Sequence, residues 1–123
     1  MATSIEPSND DRFDAITHAQ LMQGAKAAAS PEHAWLYLEA AHVVGQLHLR
    51  LHFKTHAQML ALSLRNRDWP EVAGQLLRLA LVPLGHLSGR LPLGNPGRAT
   101  VSAFQPLPVR PELAELIAHA RSH

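Results

Sequence analysis

Four side chains in the first half of the chain have the types and spacing of a metal site. Glu39 and His42 are three residues apart, and His52 and His56 are four residues apart. Residues at these spacings share one face of a helix, so each pair offers two ligand atoms side by side. Imidazole nitrogen and carboxylate oxygen suit zinc, copper, nickel or iron. The spacing therefore predicts a bound divalent transition metal, with zinc as the first expectation and the other three as alternatives.

The segment between the two pairs must reverse the chain if all four groups are to meet. Gly45 can adopt the left-handed conformation that ends a helix, which places the turn near Gln46. In an antiparallel helical hairpin, residues equally far from the turn lie level with each other, so His42 is expected opposite residues 50–52. At a rise of about 1.5 Å per residue, the four groups then fall within about one helical turn.

Two arrangements of this site are compatible with the sequence. If all four groups bind the ion, they complete a tetrahedral set suited to structure or storage. If Glu39 instead orients one of the imidazoles, three histidines remain as ligands and leave a position open for water or substrate. Gln46 and His48, beside the turn, are additional or supporting candidates, and His86 is a candidate from outside the hairpin. The opposing interpretation is that the spacing of these residues is a coincidence, which is plausible because the chain contains nine histidines.

Apolar periodicity and capping residues predict the helices that position these pairs. Ser30 before Pro31, and Asp68 three residues before Glu71, are typical helix starts. Pro83 is expected to end the fourth helix, because proline lacks an amide hydrogen. The sequence therefore predicts an all-α fold, a small antiparallel bundle of four main helices and a short fifth one, over residues 10–29, 31–44, 48–67, 69–82 and 111–121.

The whole chain, residues 1–123, is expected to form a single helical domain. Residues 1–9 are predicted to be a loose N-terminal arm. Residues 84–110 are rich in proline and glycine, so we predict an irregular segment there, wrapped over one side of the bundle because it also carries apolar side chains.

The irregular segment also offers side chains that could close over a small-molecule substrate. Arg90, Asn95 and Ser102 are candidates for substrate binding, and Arg90 and Glu39 are the catalytic candidates. A metal ion lowers the pKa of its bound water towards 7, so a small metal-dependent hydrolase or lyase is the first alternative to simple metal binding. The second alternative is a helical protein–protein interaction module, in which a leucine-rich face pairs two copies as a homodimer.

Composition argues against a nucleic-acid-binding protein, a protein with thiolate ligands and a membrane protein. With 11 basic and 10 acidic residues, the chain gives no electrostatic reason to expect nucleic acid as a partner. The absence of cysteine excludes thiolate ligands and fits a reducing compartment. No apolar stretch approaches the roughly 20 residues needed to cross a bilayer, so no membrane partner is expected. We therefore expect a soluble, cytoplasmic protein.

Several stretches resemble an uncharacterised bacterial family that is known only as a domain of unknown function. The first has the pattern LExAHxxGQ and is followed by HxxxH at residues 52–56. The likeness covers about residues 30–112. It implies the same histidine and glutamate elements and, through some members, an association with heavy-metal resistance neighbourhoods, but no activity. The stretches that carry it are residues 38–46, 52–59, 72–79, 89–95 and 101–104.

Overall fold

Five α-helices account for most of the structure, which is a computed structural model. It describes residues 9–89, 95–100 and 106–122, and within these ranges no residue lies in a strand. The predicted all-α bundle with a short last helix is confirmed. None of the described helices is both long enough and apolar enough to span a bilayer. In chain order the helices are α1 (Asn9–Ala27), α2 (Pro31–Gly45), α3 (Leu49–Arg65), α4 (Trp69–Ser88) and α5 (Pro111–Arg121).

The predicted starts of α2 and α4 are confirmed by their caps. The Ser30 side chain accepts a hydrogen bond from the backbone amide of His33, and the Asp68 carboxylate accepts one from the amide of Glu71. Each cap satisfies an amide that has no partner inside its helix, and proline occupies the first turn that follows. The chain direction entering α2 and α4 is therefore fixed by local sequence.

Helix α2 lies at the centre of the bundle and packs on α1, α3 and α5, whereas α4 packs on α3 alone among the described helices. Two apolar clusters fill the interior. One joins α1, α2 and α5, and the other joins α1, α2 and α3. The first comprises Leu21, Ala40, Ala41, Val44, Leu113 and Ile117, and the second Ala25, Ala34, Trp35, Leu38, Met59 and Leu62.

The prediction that Pro83 ends the fourth helix is wrong. Helix α4 continues through Pro83 to Ser88 and ends at Gly89, whose φ of 71° is left-handed. Pro83 lies on the exposed side of the helix, where water can satisfy the carbonyl that loses its partner. The irregular segment therefore begins after residue 88 rather than at residue 84. The predicted arm falls largely outside the described residues, as do residues 90–94 and 101–105 of the covering segment.

Gly45 also differs from its predicted conformation. It is the last residue of α2 and does not have a positive φ, and the helix cap that follows, Gln46, has φ −59°. Glycine is required here for space instead. A Cβ at this position would lie 2.8 Å from the Leu51 Cβ and 2.9 Å from the His18 Cδ2. The missing side chain thus lets α1 and α3 approach the turn.

We predict that Gly45→Ala destabilises the protein, although alanine is the better helix former. Helix propensity alone would stabilise the variant by about 1 kcal/mol. The added methyl group meets a Cβ atom and the His18 ring, which bonds the Thr55 hydroxyl, so neither neighbour can move aside easily. Overpacking of this kind costs about 1–3 kcal/mol, which should exceed the gain. Urea unfolding followed by circular dichroism measures the difference, and a stabilised variant would contradict the packing argument.

Candidate metal centre

Three of the predicted ligands meet in the interior between α2 and α3. His42 comes from α2, and His52 and His56 lie one turn apart on α3. All three side chains are buried, with 2–4% of each residue exposed. Among the described residues, these three histidines are the group whose ligand atoms lie close enough together to hold a metal ion. The predicted meeting of the HxxxH pair with His42 across a hairpin is therefore what the structure shows.

The three Nε2 atoms form an almost equilateral triangle. Their separations are 3.1 Å from His42 to His56, 3.1 Å from His42 to His52, and 3.2 Å from His52 to His56. Zinc–imidazole bonds are about 2.0–2.1 Å long, so nitrogens at these separations are close enough for one ion to bind all three. Three nitrogens would hold one side of such an ion and leave its other positions to further ligands.

The outward nitrogen of His42 is held by a backbone carbonyl. Its Nδ1 lies 2.6 Å from the oxygen of Asn95. A carbonyl oxygen can only accept, so Nδ1 carries the hydrogen and Nε2 carries the lone pair that faces the other rings. Gly97 allows this contact, because a Cβ there would lie 2.4 Å from the His42 Cδ2, and its φ of 84° favours glycine. Residues 95–97 therefore fix the orientation of the ring.

The outward nitrogen of His56 is held by an amide on α4. Its Nδ1 lies 2.7 Å from the Gln75 Oε1. The Gln75 amide cannot be turned around, since its Nε2 donates to the Glu71 carboxylate at 2.9 Å and to the Gly97 carbonyl at 3.1 Å. Gln75 therefore presents an acceptor, and the Nε2 of His56 is left with its lone pair towards the centre.

Glu71, in turn, is fixed by the segment that crosses over α4. Its Oε2 accepts from the backbone amide of Ala99 at 2.7 Å, and its Oε1 accepts from the Arg98 Nε at 3.2 Å. The guanidinium of Arg98 also lies over the Trp35 ring, 4.4 Å from its centroid. A chain of buried polar contacts thus runs from residues 98–99 through Glu71 and Gln75 to His56.

His52 has a different outer partner. Its Nδ1 lies 3.0 Å from the Nε2 of His86, which is on the last turn of α4. Either ring can donate this hydrogen bond, so the tautomer of His52 is not set by its partner in the way that those of His42 and His56 are. The continuation of α4 beyond Pro83 is what brings His86 to this position.

Burial keeps the three imidazoles in their neutral form. Desolvation is the largest cause in each case, and it lowers the pKa of His52 to about 3 and that of His56 to about 4. The pKa of His42 also falls well below its usual range, with the two neighbouring rings adding to the effect of burial. The nearby charge of Arg78 lowers the pKa of both His42 and His56 further.

The neutral state creates an electrostatic conflict that a cation would resolve. The Nε2 atoms of His42 and His56 both carry lone pairs, yet they lie 3.1 Å apart with no hydrogen of their own between them. Two acceptors at that distance repel each other unless a proton, the N–H of the third ring or a cation lies against both of them. A cation could bind all three nitrogens at once, so the chemistry of the donor set suits a metal ion.

The Glu39 carboxylate does not join the three imidazoles. Its carboxylate lies outside the group of three histidines and forms an ion pair with Arg110, the residue before α5. Burial raises the pKa of Glu39, and the charge of Arg110 opposes that shift. The four-residue prediction thus divides into three converging imidazoles and one carboxylate that ties α2 to the start of α5.

The remaining sequence candidates lie in several places. Gln46 is buried at the end of α2, and the His48 Nε2 contacts the Asp14 carboxylate at 3.1 Å, away from the three rings. Asn95, predicted to bind substrate, is buried, with its carbonyl on His42 and its side chain accepting from the Gly97 amide. Arg90 and Ser102 lie outside the described residues.

The supporting side chains from α4 are not among the residues predicted from the sequence. The spacing of four residues between Glu71 and Gln75 nevertheless places them on one face of the helix. The signal that could have found them is their presence within an otherwise leucine-rich helix, where polar residues at positions i and i+4 suggest a polar surface underneath.

Residues 13–117 match the family described as a protein of unknown function, DUF3703, and the chain belongs to that family. No curated protein matches the chain. No solved structure matches it either. The resemblance to an uncharacterised family is therefore confirmed, and the function has to be argued from the histidine cluster itself.

We predict that the metal-free protein loses stability as the pH falls from about 6.5 towards 4. His18, His52 and His56 have folded-state pKa values of about 4, 3 and 4, against 6.5 when unfolded. In this window the unfolded chain binds more protons, so the free energy of unfolding decreases on acidification, by at most about 1.4 kcal/mol per pH unit for each histidine.

Urea midpoints measured between pH 7.5 and 5 test this expectation. His18→Gln removes one of the buried histidines without touching the cluster, so its slope against pH should be shallower than that of the wild type. A wild-type midpoint that stays constant from pH 7 to pH 5 would contradict the assignment of neutral buried rings.

Proposed function

We propose that this protein binds one divalent transition metal ion through the Nε2 atoms of His42, His52 and His56. The observation that carries the proposal is the inward convergence of three buried nitrogens at 3.1–3.2 Å from one another. Two of them must carry lone pairs, because their rings donate outward to Asn95 and Gln75. Outward hydrogen bonds of this kind are the usual support of a metal-binding histidine.

Zinc is the metal that we propose first. Three imidazoles would suit a four-coordinate zinc that takes one further ligand. Copper, nickel and iron remain alternatives, because neutral imidazole also suits them and the chain has no cysteine to discriminate among them.

A cytoplasmic location is proposed from the sequence alone, because a chain without cysteine needs no oxidising compartment.

Glu39 is not one of the proposed metal ligands. To reach an ion its buried carboxylate would have to leave Arg110, and separating a buried carboxylate from its cationic partner is costly. We instead assign Glu39 to the connection between α2 and the residues before α5.

A metal-dependent hydrolase or lyase is the second candidate function, and the one-sided cap of nitrogens is the observation that favours it. Three protein ligands leave room for a metal-bound water, whose pKa would fall towards 7. A polar pocket of about 500 Å³ lies beside Glu39, Arg98 and Arg110, but none of the three histidines lines it. Because the pocket and the histidines are not joined among the described residues, we place metal binding first.

Metal uptake is the direct test of the first proposal. Untagged protein, freed of metal by chelator and then dialysed against zinc, should retain close to one equivalent by elemental analysis. His52→Ala combined with His56→Ala should abolish uptake, because only one ligand would remain. His33→Ala, an exposed histidine outside the cluster, should leave uptake unchanged. Equal uptake by the double variant and the wild type would refute the assignment.

Gln75→Leu separates ligand loss from misfolding. This variant keeps all three ligands but removes the acceptor that holds the outward nitrogen of His56. Loss of such a partner typically weakens metal affinity by 10–100-fold. We therefore expect saturation at one equivalent with a raised dissociation constant, whereas unaltered affinity would show that the outward hydrogen bonds do not prepare the site.

The second candidate requires an exchangeable position on the ion. Protein loaded with cobalt(II) in place of zinc should show the visible bands of a low-coordinate site, and sodium azide should shift them by replacing a bound water. If azide leaves the bands unchanged while cobalt binds stoichiometrically, the ion is closed off. That result would reject the enzyme and retain the metal-binding proposal.

A further inference from the structure

Helix α4 differs from an ordinary surface helix, because it buries polar side chains and exposes several leucines. The residues that it buries are Glu71, Gln75, Arg78 and Val82, while four of its leucines are exposed. Both charged residues of the helix are among the buried ones, so its outer side carries no charge. The exposed leucines are Leu76 (54%), Leu77 (54%), Leu84 (60%) and Leu87 (86%).

The histidine cluster explains the polar inner side. Gln75 must reach His56, and Glu71 must hold Gln75 and receive the amide of Ala99, so these positions cannot be apolar. No comparable requirement explains leucine on the outer side. A helix with one apolar face normally buries that face against another element.

The apolar surface continues from α4 onto α3. The exposed side of α3 carries Leu49 (49%), Phe53 (48%) and Leu64 (48%). One largely apolar groove between the two helices is lined by Pro83 of α4 and by Leu49, Arg50, Phe53 and Lys54 of α3. We use the name outer face for the exposed apolar side chains of this helix pair: Leu49, Phe53, Ala57, Ala61, Leu64, Trp69, Ala73, Leu76, Leu77, Ala80, Pro83, Leu84 and Leu87.

We propose that the outer face is the interface of a homodimer, in which the α3–α4 pairs of two copies pack against each other. Helix α4 contacts only α3 among the described helices, so a second helix pair would give it the neighbours that α2 already has. Four helices packed in this way form the ordinary four-helix arrangement. The proposal does not depend on metal binding, because the outer face and the three histidines lie on different sides of α3.

The area of the outer face matches what a stable dimer needs. Its eight large side chains are each about half exposed or more, which corresponds to roughly 100 Å² apiece. The face thus offers on the order of 800 Å² per copy, the share of one partner in a standard interface. A monomer rarely exposes a contiguous apolar patch of this size.

The pattern of side-chain sizes favours a helical partner of the same kind. On α4, Ala73 and Ala80 alternate with leucines, and on α3 Ala57 and Ala61 lie between the larger Phe53 and Leu64. Small residues leave hollows between larger ones, and the leucines of a facing helix can fill such hollows. A two-fold axis would present each copy's leucines to the other copy's alanines, so the same face can serve both partners.

Analytical ultracentrifugation of the full chain tests the proposal. The wild type should sediment at twice its 13.5 kDa mass at micromolar concentration. Leu77→Glu combined with Leu84→Glu should raise the dissociation constant at least 100-fold, because two carboxylates would be buried without partners. The matched control is Phe13→Glu combined with Ile16→Glu, at comparably exposed positions of α1, and it should stay dimeric.

Helical content and zinc uptake of the Leu77 and Leu84 variant should equal those of the wild type, which separates loss of the dimer from loss of the fold or the metal site. A wild type that remains monomeric at about 100 µM would overturn the proposal. So would a monomer that co-floats with vesicles of phosphatidylglycerol and phosphatidylcholine, since the face would then meet lipid. A control that dissociates as readily as the face variant would overturn it as well.

The cysteine-free sequence permits a second, independent measurement. Ala80→Cys introduces the only thiol of the chain, midway along the outer side of α4. A nitroxide attached there should give a short inter-spin distance between the two copies, while one attached to Ile16→Cys on α1 should give a long one. The reverse order of the two distances would place the interface elsewhere and refute the proposal.

Discussion

The rest of this structure depends on one constraint, the burial of three neutral imidazoles whose Nε2 atoms lie within 3.2 Å of one another. Burial disfavours their protonated forms, and two of the rings must direct bare lone pairs at each other. Such an arrangement holds together only if the outward nitrogens are firmly bonded and the backbone around them is closely packed. The hydrogen bonds that the two rings donate to Asn95 and Gln75, and the close approach of Gly97, meet these requirements.

This constraint accounts for the unusual composition of α4. The helix presents a carboxylate and an amide to the interior because the ring of His56 and the crossing segment at residues 97–99 need polar partners there. Four of its leucines lie on the outside instead. The same helix therefore takes part in both proposed sites. Its polar side supports the candidate metal centre, and its apolar side supplies the proposed interface between two copies.

The segment after α4 does more than cover the bundle. Its described residues supply a carbonyl to His42, a carbonyl to Gln75, and both an amide and a guanidinium to Glu71. Asn95, predicted from the sequence to bind substrate, contributes to these contacts through its main-chain carbonyl. Its side chain is occupied within its own turn, and the atom that matters for the cluster belongs to the main chain.

Sequence by itself determined the helices, their capped starts at residues 31 and 69, and the pairing of His42 with His52 and His56, because periodicity and capping are local properties. It could not decide that Glu39 turns to Arg110, since the position of Arg110 depends on how the chain returns to α5. It misplaced the end of α4, because the tolerance of Pro83 depends on which side of the helix meets water. It also gave Gly45 a conformational role, whereas the neighbours that require its missing side chain come from α1 and α3. Only the tertiary structure brings these distant segments together, and so only it could show which nitrogens face inward and what holds them there.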